Sequence, residues 1–540
     1  MKSRTDKHRW QLPIATYMLV GTIVAIPWLW LVARYWNYYP LWDAAIYYEC
    51  VVDAAKTTLD PRAYNCASHP TMGYLWVPGL LTRVFGQSYR VFLAYNAVLG
   101  WSMSVAIADI ARRLLKGKAD SIEQLLVVAT AMYCPIVVSS ILQLTPDFGV
   151  VVFLTLSARA FLRERLVRAI AWGVLAGLSK ESGVLAFGVQ LGVYVVVYGL
   201  RAPNLGWRKV TAICRRSPLV LLPLVGLCAV AVYVLTNGST VLWAQVDLEG
   251  VIRQFTTVSF MDNVLPASLG TIFVLNCMWI PALVLLGYFT IWCARRLILA
   301  LPARAPHDPA FEFVATVFVL ELVLLTRFRT FTNVRYYLPV FPWLLLLSAR
   351  AFLAFGLPRP LRLIGQGVIL LTVGASNFRS FDPVSAQLFG SMKFGDHRLF
   401  RITSLTRECC GLGRDQLVYN LEFAEIDRLL RQVLPFVLEE GTHVVAVHPE
   451  ADWKLFDSVD SKTFRRTTPR SDTFKVPYTV SSAVAARPVK FERIYYVALP
   501  NMPNSPELIR YLNWYDIAWR RGKFEHDGYR LDVHEMTLKH

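Results

Sequence analysis

The chain has 540 residues, 55% hydrophobic and only 17% charged, with 56 Lys and Arg against 38 Asp and Glu and a net charge of +18. A soluble protein carries roughly a quarter charged residues, so this composition excludes an ordinary soluble domain and points to a membrane protein with many spans. The basic surplus does not indicate nucleic-acid binding, because much of it falls in short loops between apolar runs, where membrane topology puts it.

A basic tail (Lys2, Arg4, Lys7, Arg9) leads into an apolar run over about 12–32. It reads as a retained signal-anchor, since no early small-residue cleavage site follows it. The first loop, about 33–90, carries Trp42-Asp43-Ala44-Ala45, Glu49 and Asp53 among aromatic residues. Asp43 is there as a general base, a metal ligand or the cap of an interfacial helix over about 44–56. Glu49 and Asp53, four apart, read as that helix's polar face. The same loop holds His69-Pro70, a structural pair or an acceptor contact, and Cys50 with Cys66, which an oxidising compartment would allow to pair. Cys134, Cys228, Cys277 and Cys293 fall in or beside apolar runs and read as buried small residues. No CxxC or histidine-rich spacing indicates a metal.

Further spans are predicted near 91–111, 122–140, 146–162, 167–179, 183–199, 218–236, 269–292, 311–326, 336–355 and 361–377, about eleven in all. One set of alternate loops is basic: Arg112, Arg113, Lys116 and Lys118; Arg163, Arg165 and Arg168; Arg201 to Arg216; Arg295, Arg296 and Arg304; Arg350, Arg359 and Arg362. The positive-inside rule makes these cytoplasmic, and the N-terminus with them.

Three features stand on the opposite side. Asp147 follows Thr145-Pro146 at the start of a span, as an ordinary helix start or as an acid facing the same cavity as Asp43. Ser179-Lys180-Glu181-Ser182 separates two apolar runs. Lys180 and Glu181 there are either an ion pair closing the turn or a lysine presented to a phosphate. Arg327, Arg329 and Arg335, with Tyr336 next to the last, break the positive-inside rule. They suit a lipid phosphate, which the guanidinium fork binds with two hydrogen bonds, or they snorkel to anionic lipid.

From about 379 the composition turns polar, with a helical pattern over Glu422–Leu438 and strand-like runs over Thr442–Val447 and Ile494–Leu499. The expected fold class is therefore a polytopic α-helical membrane protein, residues 1–378, with a C-terminal soluble α/β domain, 379–540, on the outer side. Asn237-Gly-Ser is a sequon on that side, of consequence only in a cell that glycosylates it.

In order and side these pieces resemble the GT-C superfamily of membrane glycosyltransferases, especially the branch of protein O-mannosyltransferases and lipid A aminoarabinose transferases. The similar segments are Asp43 after the first span, His69-Pro70-Thr71-Met72, Leu144-Thr145-Pro146-Asp147, Gly177-Leu178-Ser179-Lys180-Glu181 and Arg335-Tyr336-Tyr337-Leu338-Pro339. Two departures stand out. Asp43 is followed by Ala44 where protein mannosyltransferases have Asp-Glu, and no Asp-x-Asp occurs, so neither protein mannosylation nor an obligatory divalent metal is indicated.

The resemblance implies a polyprenyl-phosphate-sugar donor. It implies inverting transfer to a glycan, glycolipid or protein acceptor on the outer face, with no cofactor. Asp43 would be the base, with Asp147 next in line. Lys180, Arg327, Arg329 and Arg335 would hold the lipid phosphate, and His69, Glu181 and Tyr336 would complete the binding site. The protein would lie in a bacterial inner membrane with its C-terminal domain periplasmic. The competing classes are a transporter or flippase of an anionic or lipid-linked substrate, for which internal repeats and midplane charges are wanting, and a scaffold whose outer domain does the work.

Overall fold

The computed structural model describes residues 14–36, 43–67, 69–115, 119–200, 272–298, 308–326, 334–378, 382–389, 393–394, 397–398, 429, 432, 443–446, 459–460, 465–466, 492–498, 506–526 and 529–540. The predicted span near 218–236, the sequon, Arg327, Arg329 and nearly all of the helix expected over 422–438 lie outside these residues. So does the side chain of Asp43.

Contacts divide the chain into two compact units, residues 1–86 with 90–401, and 87–89 with 402–540. The first unit is helical: α1 (Ile14–Arg34), α2 (Asp43–Thr57), α3 (Met72–Phe85), α4 (Tyr89–Leu115), α5 (Ser121–Met132), α6 (Pro135–Leu142), α7 (Pro146–Leu162), α8 (Leu166–Gly177), α9 (Glu181–Tyr194), α10 (Trp279–Ile298), α11 (Pro309–Thr326), α12 (Val340–Ala354), α13 (Arg359–Ala375) and α14 (Pro383–Phe389). Short strands β1 (Lys393–Phe394) and β2 (His397–Arg398) form a hairpin.

Among the described residues, four helical stretches have the length and apolar composition to cross a membrane: Thr16–Arg34, Tyr89–Leu115, Glu181–Tyr198 and Arg359–Phe378. The span expected over 122–140 is instead a pair, α5 and α6, bent by 63°. Pro135 is the cause. It opens α6, fixes its own φ and forces Cys134 into an extended conformation (φ −57°, ψ 128°), where a helix cannot continue. Counted as one broken span, the pair makes five. The stretches expected near 167–179 and 336–355 are helices of 12 and 15 residues, short of a lone crossing, and the one near 146–162 is a helix of 17, at the lower limit of one.

Helix packing places the loops. α2 and α3 pack together, and α3 also packs on α7 and α8. At the α3 start the Gly73 N–H donates to Leu178 O at 2.9 Å. A Cβ on Gly73 would stand 2.6 Å from Leu175 O, so only glycine lets α3 touch the α8–α9 turn. α2 is tied to the following loop by a Cys50–Cys66 disulfide, the pairing that the sequence left open.

The first unit runs past 378 because Asp382 knits the chain back: its carboxylate accepts the Cys277 N–H at 3.1 Å and caps α14 through Ser385 N at 2.7 Å. The second unit contains a four-stranded sheet of β3 (His443–Ala446), β6 (Arg493–Ala498), β8 (Tyr529–Leu538) and β7 (Tyr515–His526), in that spatial order. A separate two-stranded pair, β4 (Val459–Asp460) and β5 (Arg465–Arg466), accompanies it. β3 and β6 run parallel and the other neighbours antiparallel. Helix α15 (Pro506–Leu512) packs Tyr511 against Ile494, Tyr515 and Met536 to form the core of this unit. The strand-like runs expected at 442–447 and 494–499 are β3 and β6.

Candidate active site at the start of helix α7

α7 begins as its sequence dictates. Pro146 takes the first helical position, where its missing N–H costs nothing, and Asp147 sits in the first turn against the positive end of the helix dipole. The chain entering this turn is held by Asn96 of α4. Its Nδ2 donates to Ile141 O (3.2 Å) and Gln143 O (2.8 Å), and its Oδ1 accepts from Tyr74 Oη of α3 (2.6 Å). Two buried polar atoms beside Asp147, Gln143 Nε2 and Thr145 Oγ1, have no hydrogen-bond partner among the described residues.

The α8–α9 turn brings the next two groups. Lys180 is extended (φ −168°, ψ 155°) and Glu181 is the first residue of α9. Successive residues in this geometry face apart. Lys180 Nζ donates to both oxygens of Asp147, at 2.8 and 2.9 Å. Glu181 turns the other way, and its two oxygens lie 3.0 and 3.1 Å from His69 Nδ1. The pair that the sequence offered between Lys180 and Glu181 is therefore two pairs to separate partners, 33 and 112 residues away in sequence.

A 3₁₀ turn, Val334–Tyr337, adds Arg335 and Tyr336. Arg335 Nε stands 3.6 Å from Asp147 Oδ2. Lys180 Nζ lies 4.3 Å from the Tyr336 ring centre and Arg335 Cζ 5.4 Å from it. The Asp147, Lys180 and Arg335 side chains are only 6%, 9% and 7% exposed. Arg335 is thus not a snorkelling side chain at a lipid surface: it is packed beside a carboxylate and an aromatic face.

His69 is placed by a knot in the first loop. Thr71 Oγ1 donates to Tyr64 O (2.7 Å) and accepts the Cys66 N–H (2.8 Å), so the disulfide cysteine and the His-Pro-Thr segment are held together.

The structure thus gathers Asp147, Lys180, Arg335 and Tyr336 into one cluster and sets the His69–Glu181 pair beside it through the shared Lys180-Glu181 step. Asp43 is the first residue of α2, not the residue before it, so the helix begins one residue earlier than expected. Asn96 positions the site without having been singled out in the sequence, and Thr71 does so having been quoted there only within the His69-Pro70-Thr71-Met72 segment. The available signal for Asn96 was a polar residue inside an apolar run. Among the described residues, no group of three or more His, Cys, Asp or Glu side chains is placed to hold a metal ion.

Two cations beside one carboxylate, above one aromatic ring and out of water, are chemically suited to an anion with several oxygens. The guanidinium and ammonium donors supply charge-assisted hydrogen bonds.

No protein-family model and no curated protein matches the chain. Among solved structures it is similar to ArnT from Cupriavidus metallidurans bound to undecaprenyl phosphate, with 14% identity, 97% of each chain covered and a TM-score of 0.47. It is also similar to ArnT from the same organism in the apo state, with 14% identity, 94% of this chain and 97% of that one covered, and a TM-score of 0.44.

Proposed function

We propose that this chain is an inner-membrane glycosyltransferase that moves a sugar from a polyprenyl-phosphate donor to an acceptor at the outer face of the bilayer. The observation that carries this reading is the buried Asp147–Lys180–Arg335–Tyr336 cluster at the end of a bundle of apolar helices. A phosphate at the head of a lipid needs cations at the membrane edge, and an isolated buried cation there would be costly. Asp147 meets that cost by holding Lys180 in place before the donor arrives.

In the proposed step an acceptor hydroxyl gives its proton to Asp43 while its oxygen attacks the anomeric carbon. The bond from that carbon to the phosphate oxygen breaks with inversion, and polyprenyl phosphate leaves with the electron pair. Lys180 and Arg335 stabilise the charge that grows on the departing phosphate. Arg327 and Arg329 are proposed to extend that phosphate site, and the His69–Glu181 pair to face the acceptor. Every group needed comes from the chain and the two substrates.

The test is transfer by the purified chain in nanodiscs, with radiolabelled polyprenyl-phosphate sugars and a membrane glycolipid extract. Wild type should transfer or slowly hydrolyse a donor, with or without EDTA. Asp43→Asn should keep donor binding and lose turnover, and Lys180→Met should lose donor binding. Undiminished turnover by Asp43→Asn would remove that residue as base. Full donor binding by Lys180→Met would remove the phosphate site, and vectorial movement of donor without bond cleavage would make the chain a flippase.

A further inference from the structure

α7 carries a second cluster of charge at its other end. Asp147 and Arg163 are sixteen residues apart along this helix, about 24 Å at 1.5 Å per residue, so the two clusters lie at opposite ends of one packed element. Arg159 Nε reaches Asp109 Oδ2 of α4 at 3.0 Å, and Arg163 Nη2 reaches Asp109 Oδ1 at 2.8 Å. Both guanidinium groups also lie over the Tyr17 ring of α1, at 5.4 and 5.2 Å.

α7 then ends with Glu164 in the left-handed region (φ 56°), and the Arg165 N–H returns to Ala160 O at 2.9 Å. This helix-ending turn doubles the chain back, so that Arg165 and Arg168 stand beside Arg159 and Arg163. With Trp172 they line a pocket of about 380 Å³. Arg165 and Arg168 are exposed and pair with no carboxylate among the described residues. The pocket thus has two arginines held rigid by Asp109 and Tyr17, two more at its rim, and an indole wall.

We propose that this pocket is a second anion site, for a phosphate-bearing group, remote from the transfer site and independent of it. Four guanidinium groups line this space; Arg163 commits its fork to Asp109 and Arg159 its Nε, while the exposed forks of Arg165 and Arg168 match phosphate oxygens two at a time. Arginines that merely snorkelled would spread along the helix ends. These converge on one concavity, and the inner pair is already fixed, which removes most of the ordering cost of binding. The basic loop here is on the side that the charge pattern assigns to the cytoplasm. The source of the phosphate is either an anionic phospholipid headgroup from that leaflet or a soluble phosphate.

The experiment uses the full chain in neutral detergent and the variant Arg165→Gln/Arg168→Gln, which leaves the Asp109 pairs intact. Native mass spectrometry would titrate dioleoyl phosphatidylglycerol against dioleoyl phosphatidylcholine, and calorimetry would titrate inorganic phosphate. Wild type should prefer phosphatidylglycerol, and the variant should bind it roughly 25-fold more weakly, about fivefold for each arginine lost near a charged surface. Phosphate binding that the variant loses, with no preference between the lipids, would support the site and make its ligand soluble. A variant that binds phosphatidylglycerol and phosphate as tightly as wild type would overturn the proposal. Arg165→Lys/Arg168→Lys, which keeps the charge and the fold but not the fork, should bind with intermediate strength, and wild-type affinity in it would overturn the proposed fork contacts.

Discussion

The pairing of Lys180 with Asp147 makes an asymmetric prediction. Removing one partner of a buried ion pair leaves an uncompensated charge and costs about 3–5 kcal/mol. The two halves of this pair are not equivalent. Lys180→Met leaves the Asp147 carboxylate with Arg335 still 3.6 Å away, so the remaining charge is partly compensated and the cost should fall at the low end, about 3 kcal/mol. Asp147→Asn leaves Lys180 and Arg335 together over the Tyr336 ring, two like charges without the carboxylate between them, and the cost should reach about 5 kcal/mol.

The double variant Lys180→Met/Asp147→Asn removes both members of the pair, so it should be less destabilised than the two single variants added together. A coupling of about 2–3 kcal/mol is expected for groups in direct contact. The assay is reversible unfolding in mixed detergent micelles, followed by tryptophan fluorescence. Additive effects, or a Lys180→Met variant less stable than Asp147→Asn, would refute both the pairing and the role given to Arg335.

Other consequences follow from the loops and helix starts. The Cys50–Cys66 bridge closes a segment of 16 residues, so Cys50→Ser/Cys66→Ser or a reductant should lower unfolding stability by about 3 kcal/mol. Thermal unfolding with and without dithiothreitol measures this, and an unchanged midpoint would contradict it. Asp120 caps α5 by accepting from Ile122 N and Glu123 N, and these backbone donors, with Arg359, hold its carboxyl below the usual range. A depressed carboxyl stabilises the fold above its unfolded value, about pH 4, and this contribution is lost as pH falls through the lower folded value. Unfolding stability should therefore fall more steeply with decreasing pH below about pH 4 in wild type than in Asp120→Asn, which cannot titrate there, and parallel acid limbs would exclude the cap's role. Gly73→Ala should push α3 off the α8–α9 turn and cost about 1–3 kcal/mol, together with a loss of donor binding in the transfer assay.

Much of the fold was legible in the chain. Apolar runs of helical length fixed most helix positions to within a few residues, because a segment in a bilayer must satisfy its own backbone. Thr145-Pro146-Asp147 announced the start of α7, since proline and an acid suit a first helical turn. The strand-like runs at 442–447 and 494–499 announced β3 and β6. The residues now gathered at α7 were already conspicuous, because a charge in an apolar stretch is costly and so stands out.

What the tertiary structure alone decided was partnership and direction. Sequence proximity joins Lys180 to Glu181, but an extended residue followed by a helical one turns the two side chains apart, so Lys180 finds its partner on α7 and Glu181 its partner in the first loop. Pro135 explains the break between α5 and α6, but its angle, 63°, is read only from the structure. The convergence of Arg159, Arg163, Arg165 and Arg168 depended on a left-handed turn at Glu164 and on α4 bringing Asp109 alongside. Local composition determines which groups a chain must bury or hydrate, whereas the pairing that makes burial affordable depends on long-range packing, which no short window of residues contains.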